Sequence, residues 1–247
     1  MSPRAGDPSS VQHIRIRHAS ELPAKFDQLT LRRGRPVLVL VGGAGGMSEE
    51  HLQLLSALLR DSVLPLLDML NAAVVDGGTD SGVMKVMGQQ RDAVGGRFPL
   101  IGVAAEGTIV VPGRAAPVTG DAVQLEPHHT HIILVPGDSW GDESPWLAQV
   151  ADTIAGDHPS VTLVVNGGEI TYGDVSRSLA RGRPVLVLAG TGRTADAIAA
   201  AAAGQTDEPR AAQIAASPLT RIVPLNDFSA LTDTINTALS SATGLVE

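Results

Sequence analysis

Val37-Leu38-Val39-Leu40-Val41 runs without a polar break into Gly42-Gly43-Ala44-Gly45-Gly46-Met47-Ser48. Five apolar, mostly β-branched or leucine residues closed by glycines describe a strand buried on both faces and ending in a tight turn. Ser48 then opens a stretch with leucines at 52, 55, 58 and 59, the spacing of one apolar helical face. Strand, glycine turn and helix form one unit, and the unit recurs. Ala72–Val75 leads to Asp76-Gly77-Gly78-Thr79-Asp80-Ser81-Gly82, Thr162–Val165 to Asn166-Gly167-Gly168-Glu169, and Val185–Leu188 to Ala189-Gly190-Thr191-Gly192-Arg193. Alternation of this kind predicts an α/β fold: a Rossmann-like, doubly wound, mainly parallel sheet flanked by helices. All the glycine turns then share the carboxyl edge of the sheet, where ligands bind at the reversal of strand order.

The remaining units follow along the chain. Val11–His18 alternates like an edge strand, with Arg15 and Arg17 on one face and Ile14 and Ile16 on the other. Helices are expected over Ser48–Leu70, with Ser48 as N-cap and Pro65 dividing it, and over Gly82–Val94, 145–155, Tyr172–Ala180, Thr194–Ala203 and Asp227–Ser240. Further strands are expected at Leu100–Val103, Thr108–Val111, His131–Val135, Val161–Val165, Pro184–Ala189 and Arg221–Pro224. Residues 1–10 read as a mobile lead-in, Ala115–Gln124 as a loop or insertion, and Gly204–Ser217 as a mobile loop that covers the rim. Residues 11–247 form a single domain by this reading. Arg33-Gly34-Arg35-Pro36-Val37-Leu38-Val39-Leu40 echoes Arg181-Gly182-Arg183-Pro184-Val185-Leu186-Val187-Leu188, yet the match stops at the helices and marks no solenoid.

Composition narrows the function. With 247 residues the chain can bury a substantial core, and its six aromatic residues leave that core to Val, Leu, Ile and Ala. A net charge of −8 opposes non-specific binding to nucleic acid. The short basic clusters Arg15/Arg17 and Arg32/Arg33/Arg35 read as solvated edges. The absence of cysteine removes disulfides, thiolate nucleophiles and cysteine metal sites. No apolar signal core opens the chain and no apolar run is long enough for a bilayer, so a cytoplasmic location without membrane insertion is expected.

The turns carry the chemistry. Gly43, Gly45 and Gly46 suit close approach to a phosphate or ribose, although the turn lacks the Lys-Ser/Thr ending of a Walker loop. Gly77, Gly78, Thr79, Asp80 and Ser81 combine backbone N–H groups, hydroxyls and a carboxylate that suit phosphate and ribose; helix capping accounts for the same residues. His129 is expected to orient a ligand or pack at a strand entrance, and Trp140 to stack on a base or cover the sheet edge. His129 and His131 would share a strand face, but no third ligand has metal spacing, so no metal is expected. Gly167, Gly168 and Glu169 complete the rim with Gly190, Thr191, Gly192 and Arg193, whose guanidinium can clamp phosphate or form a surface ion pair.

Three blocks in this order carry a resemblance: Gly77-Gly78-Thr79-Asp80-Ser81-Gly82-Val83-Met84, Leu125-Glu126-Pro127-His128-His129-Thr130-His131-Ile132-Ile133-Leu134-Val135, and Pro184 through Asp196. From about Arg35 to about Leu239 the chain resembles the SLOG superfamily, in its lysine-decarboxylase-like branch. That branch includes the N-terminal cytosolic domain of melastatin-type transient receptor potential channels, and this chain looks like a free-standing prokaryotic version. The resemblance implies a Rossmann-like domain that senses or processes nucleotide-derived ligands, ADP-ribose-like molecules foremost, with no cofactor required. Phosphoribohydrolase relatives carry Pro-Gly-Gly-x-Gly-Thr-x-x-Glu. Here Asn166-Gly167-Gly168-Glu169-Ile170-Thr171-Tyr172-Gly173-Asp174 lacks the proline and third glycine, and Asp174 stands where the glutamate is expected. Lys25 and Lys85, the two lysines, have no pyridoxal-phosphate setting.

Three functions remain open from sequence. The first is a ligand-binding sensor that acts through a partner protein or through homo-oligomer assembly. The second is an enzyme hydrolysing an N-glycosidic or phosphate bond, with Glu169, Asp174, Asp80 or Glu143 as acid or base. The third is a structural module whose glycine turns only close the fold.

Overall fold

A computed structural model of the chain describes residues 11–43, 45–110 and 120–240. The expected lead-in, Ala44, Val111 and residues 115–119 of the expected loop lie outside the described residues. Eight parallel strands form one sheet: β1 (Gln12–Arg15), β2 (Val37–Gly42), β3 (Ala73–Asp76), β4 (Leu100–Ala105), β7 (His131–Val135), β8 (Ser160–Val165), β9 (Val185–Ala189) and β10 (Thr220–Pro224). A short parallel pair, β5 (Ile109–Val110) and β6 (Val123–Gln124), stands apart. The helices are α1 (Leu22–Gln28), α2 (Glu49–Leu58), α3 (Leu64–Met69), α4 (Gly82–Val94), α5 (Ser144–Ala155), α6 (Glu169–Ala180), α7 (Arg193–Ala202), α8 (Pro209–Ala215) and α9 (Phe228–Ser240). The order across the sheet is β1-β7-β4-β3-β2-β8-β9-β10.

Alternation along the strands divides the core. In β2, Val37, Val39 and Val41 face α1 and α5 through α8, whereas Leu38 and Leu40 face α2, α3, α4 and α9. Both faces are dry, which is why the central strands show no polar alternation. Beyond β4, Ala104, Ile132 and Leu134 pack with Ile109, a smaller apolar cluster outside the two helical layers.

The expected α/β architecture is present, and four details of the reading change. Leu22–Gln28 is a helix that the pattern reading passed over; Leu22 and Phe26, one turn apart, are its buried face. The Ala115–Gln124 loop contributes Val123 and Gln124 to the β5–β6 pair, a pairing too short to show a period. Gly204–Ser217 is not a loop throughout: it contains α8, which starts with Pro209 after the Glu208 cap and buries Ala211 and Ile214. Arg35 is buried rather than a solvated edge, and Arg15 pairs with Glu106 at 3.2 Å. The helix expected over Ser48–Leu70 is divided ahead of Pro65 by a wide π turn over Leu59–Val63, which relieves the missing N–H and the ring clash. Among the described residues no helix is long and apolar enough to cross a membrane.

Candidate functional site

β2 is the point where the order reverses. Its successors β3, β4 and β7 lie on one side, while β8, β9 and β10 lie on the other. The turns after β2 and β8 therefore leave a crevice between them at the carboxyl edge. Gly42 begins it at φ 129°, and a Cβ there would overlap the Val165 carbonyl oxygen, so only glycine fits.

Asn166 ties three turns together. It sits at φ 54°, a left-handed conformation that asparagine tolerates better than most residues, and its side chain is buried. Its amide donates to the Thr191 carbonyl at 2.6 Å and the Gly45 carbonyl at 3.2 Å, while its oxygen accepts from Gly167 N–H at 2.7 Å. The Asn166 backbone N–H donates to Thr191 Oγ1 at 2.7 Å, and that hydroxyl donates to Leu188 O at 2.6 Å. Every polar atom of this clamp has a partner, so the β2, β8 and β9 turns are held as one edge.

The edge encloses a cleft of about 440 Å³. Of the residues singled out by sequence, Gly77, Thr79, Ser81, Trp140, Glu143, Gly168, Glu169, Asp174 and Arg193 line it. Gly45 adjoins it: Arg193 Nη1 and Nη2 lie 3.2 Å from where Cβ atoms on Gly45 and Gly168 would stand. The Arg193 guanidinium thus rests over two bare glycine turns. It is exposed, and among the described residues no carboxylate lies within ion-pairing distance of it. Gly43, Gly46, Gly78, Asp80, Gly167, Gly190, Thr191 and Gly192 support the rim without lining the cleft. Asp80 is paired with Lys85 at 3.2 Å, Thr191 belongs to the Asn166 clamp, and Gly190 N–H donates to Asp196 at 2.7 Å. The Trp140 indole N–H donates to Asp121 at 2.8 Å, which fixes the ring at the cleft.

The carboxyl groups differ sharply. Burial pushes Asp174 up to about 6; the adjacent Glu143 charge adds to this, and the Ser144 hydroxyl opposes it. Asp174 Oδ1 is buried at the cleft wall without a hydrogen-bond partner. Glu143 is also raised, chiefly by burial, although the Gly141 N–H donates to it at 2.9 Å. Glu169 is the opposite case: it is exposed, and its hydrogen bond to Arg210 at 2.6 Å holds it below the usual carboxylate range. Of the pair Glu169 and Asp174, only Asp174 has the environment of a group that exchanges protons near neutral pH. Ser144 and Thr171 also line the cleft and escaped the sequence reading; their signals were a Ser-Pro helix start and a third-residue hydroxyl after Gly168.

His129 lies beneath the rim. The strand begins at His131, so strand alternation does not pair the two histidines. Its ring bonds Asp76 Oδ1 at 2.8 Å on one edge and Glu126 Oε2 at 2.8 Å on the other, and its side chain is fully buried. Burial alone drives the imidazole toward neutrality; the Asp76 and Glu126 carboxylates outweigh it and hold His129 at about 9. His128 Nδ1 also bonds Glu126. Asp76 Oδ1 accepts from the Gly78 N–H at 2.8 Å, so this ionic cluster anchors the Gly77–Ser81 turn from below. Among the described residues no group of three or more acids, histidines or cysteines is arranged to hold a metal ion.

The chain is similar to transient receptor potential cation channel subfamily M member 2. It is 26% identical to the Rattus norvegicus protein over 200 residues, covering 67% of this chain and 13% of the relative. It is 27% identical to the Mus musculus protein over 224 residues, covering 76% of this chain and 15% of the relative. The chain thus spans well under a fifth of the length of these relatives. Residues 35–232, the strand-and-turn body that builds the cleft, match the family model described as SLOG in TRPM, prokaryote, and the chain belongs to that family.

Proposed function

We propose that this protein is a cytoplasmic binding and sensing domain for a phosphorylated, nucleotide-derived ligand, with ADP-ribose-like molecules the leading candidates. The observation that carries the reading is Arg193: an exposed guanidinium without an ion-pair partner among the described residues, laid over two glycine turns at the switch-point cleft. A guanidinium presents paired N–H donors to phosphate, and the starts of α6 and α7 add backbone N–H groups on the same edge. The cleft volume falls within the range of small-molecule sites. Trp140 offers a ring for a base, and Asp174 an acceptor for ligand hydroxyls. A sensor of this kind reports through a partner protein or through self-association.

A second reading, hydrolysis of an N-glycosidic or phosphate bond, is favoured by one observation: Asp174, with its raised carboxyl, stands beside Glu143 in the cleft wall. Calorimetric titration with ADP-ribose, AMP, NAD and ribose 5-phosphate, with product analysis of each sample, separates the readings. Saturable binding with intact ligand supports the sensor. Released base or phosphate supports the enzyme. No heat with any of the four and no product overturns both and leaves a structural module.

A further inference from the structure

Glu169 poses a problem for an anion site. It is the first residue of α6 and directly follows Gly168, over which Arg193 lies. An unrestrained carboxylate there is a ready internal partner for Arg193, and it would occupy the guanidinium that a ligand phosphate needs.

The structure holds this carboxylate elsewhere. Arg210, on α8, takes Glu169 with both arms: Nη1 to Oε2 at 2.6 Å and Nη2 to Oε1 at 3.3 Å. Arg210 is itself held at two other points. Its guanidinium carbon lies 4.2 Å from the centroid of the Tyr172 ring, and its Nε donates to Glu208 at 2.9 Å. Glu208 in turn caps α8 by accepting from the Ala211 N–H, and α8 is seated by buried Ala211 and Ile214. A single exposed ion pair is weak, but one whose arginine is stacked, bonded and mounted on a docked helix loses little freedom when it forms.

We infer that Arg210 is a positioning residue for the ligand site: it holds the Glu169 carboxylate away from Arg193 and so keeps Arg193 open to a phosphate. The inference rests on the reading of Arg193 as the phosphate ligand. Arg210 touches no ligand in this scheme and acts only through Glu169. The polar segment Gly204–Ser217, through α8, supplies the mount of this restraint.

A double-mutant cycle read by calorimetry with ribose 5-phosphate and ADP-ribose tests it. Arg210→Ala is expected to weaken binding about fivefold, the size of a modest charge competition. In a Glu169→Gln background the same Arg210→Ala change is expected to have no further effect, so that the double variant binds as Glu169→Gln alone does. If Glu169→Gln tightens binding equally with and without Arg210, the two charges act independently and the inference is overturned; an Arg210→Ala variant that binds like the parent also overturns it. A second measurement needs no ligand. In the parent, Arg210 first and Arg193 at longer range hold Glu169 low; carboxyl NMR titration of the Arg210→Ala protein is expected to show it still held low, by Arg193 alone, and released only when Arg193→Ala is added. Release by Arg210→Ala alone overturns the inference. If the parent protein binds neither probe, the reading of Arg193 fails, while the titration still decides whether Arg210 keeps Glu169 from it.

Discussion

At the residue scale the carboxyl edge separates into side chains that build the site and side chains left free to use it. Asn166 builds: buried, in a left-handed conformation, it spends its amide on two carbonyls from two other turns. Asn166→Ala is expected to lower stability by about 1–3 kcal/mol, because the carbonyls it serves lose their donor away from water; urea unfolding measures this. An unchanged midpoint would mean that the turns hold without the clamp. Asp174 keeps one buried oxygen, Oδ1, without a hydrogen-bond partner. Its carboxyl is raised from 3.8 to about 6, so its contribution to stability is complete below about pH 4 and is lost as pH rises through 6. Asp174→Asn is therefore expected to be more stable than the parent by roughly 2–3 kcal/mol at pH 7.5 and indistinguishable at pH 3.5. Equal stability at both pH values would show that the carboxyl carries no such strain. A carboxyl that destabilises the fold at neutral pH is what the proposed ligand site calls for. The residue types were legible in sequence, since a glycine-rich turn with Asp, Thr or Arg advertises a rim. Which of them face the cleft was not, because Gly43 and Gly77 have the same chemistry and differ only in where the chain turns.

At the element scale, helix α4 shows how a neighbour overrides propensity. Gly88 lies in its middle, where alanine would favour the helix by about 1 kcal/mol in isolation. A Cβ at that position would overlap the Glu126 carboxylate, which the histidines hold in place. Gly88→Ala is expected to destabilise the protein. Gly173, inside α6, is the contrast: a Cβ there meets only the mobile Arg177 guanidinium, 2.9 Å away. Gly173→Ala is expected to stabilise by up to about 1 kcal/mol. Thermal melts of both variants check the pair, and shifts of the same sign would refute the steric account. Long elements with strong period were readable, such as α4 over Gly82–Val94 and β7 over His131–Val135. The short α1 and α8 were missed because a seven-residue helix buries too few positions to display a period, and tertiary contact with the sheet decides it. The Arg-Gly-Arg-Pro echo has its reason here too. Arg35 and Arg183 are both buried at strand entrances, where Arg35 donates to the Arg32 carbonyl and Arg183 to Ser160 and Asp152.

At the scale of the whole molecule, the ionic cluster under the rim couples protonation to folding. His129 is raised from 6.5 to about 9, so the stability it contributes is present below about pH 6.5 and lost as pH rises through 9. Urea midpoints measured from pH 6.5 to 10 are expected to fall, by roughly 2–3 kcal/mol of stability in total. A flat profile would show that the imidazole does not carry a proton between Asp76 and Glu126. Because Asp76 also holds the Gly78 N–H, the same loss of charge is expected to loosen the Gly77–Ser81 rim before the sheet unfolds.

Sequence alone determined the architecture of this protein, since buried parallel strands and amphipathic helices announce themselves through local periodicity. It also determined that the glycine turns gather on one edge, because a right-handed strand-helix-strand connection leaves no other place for them. Tertiary structure alone decided that β8 returns to the far side of β2 and opens the cleft between their turns. It also decided that His129 lies below the rim, that Asp174 and Glu143 are driven together at the wall, and that Glu169 is drawn off toward Arg210. Those outcomes depend on distance and burial between residues far apart in the chain. A local pattern of side chains carries neither quantity, so the chemistry of the edge was visible in the sequence while the division of labour among its charges was not.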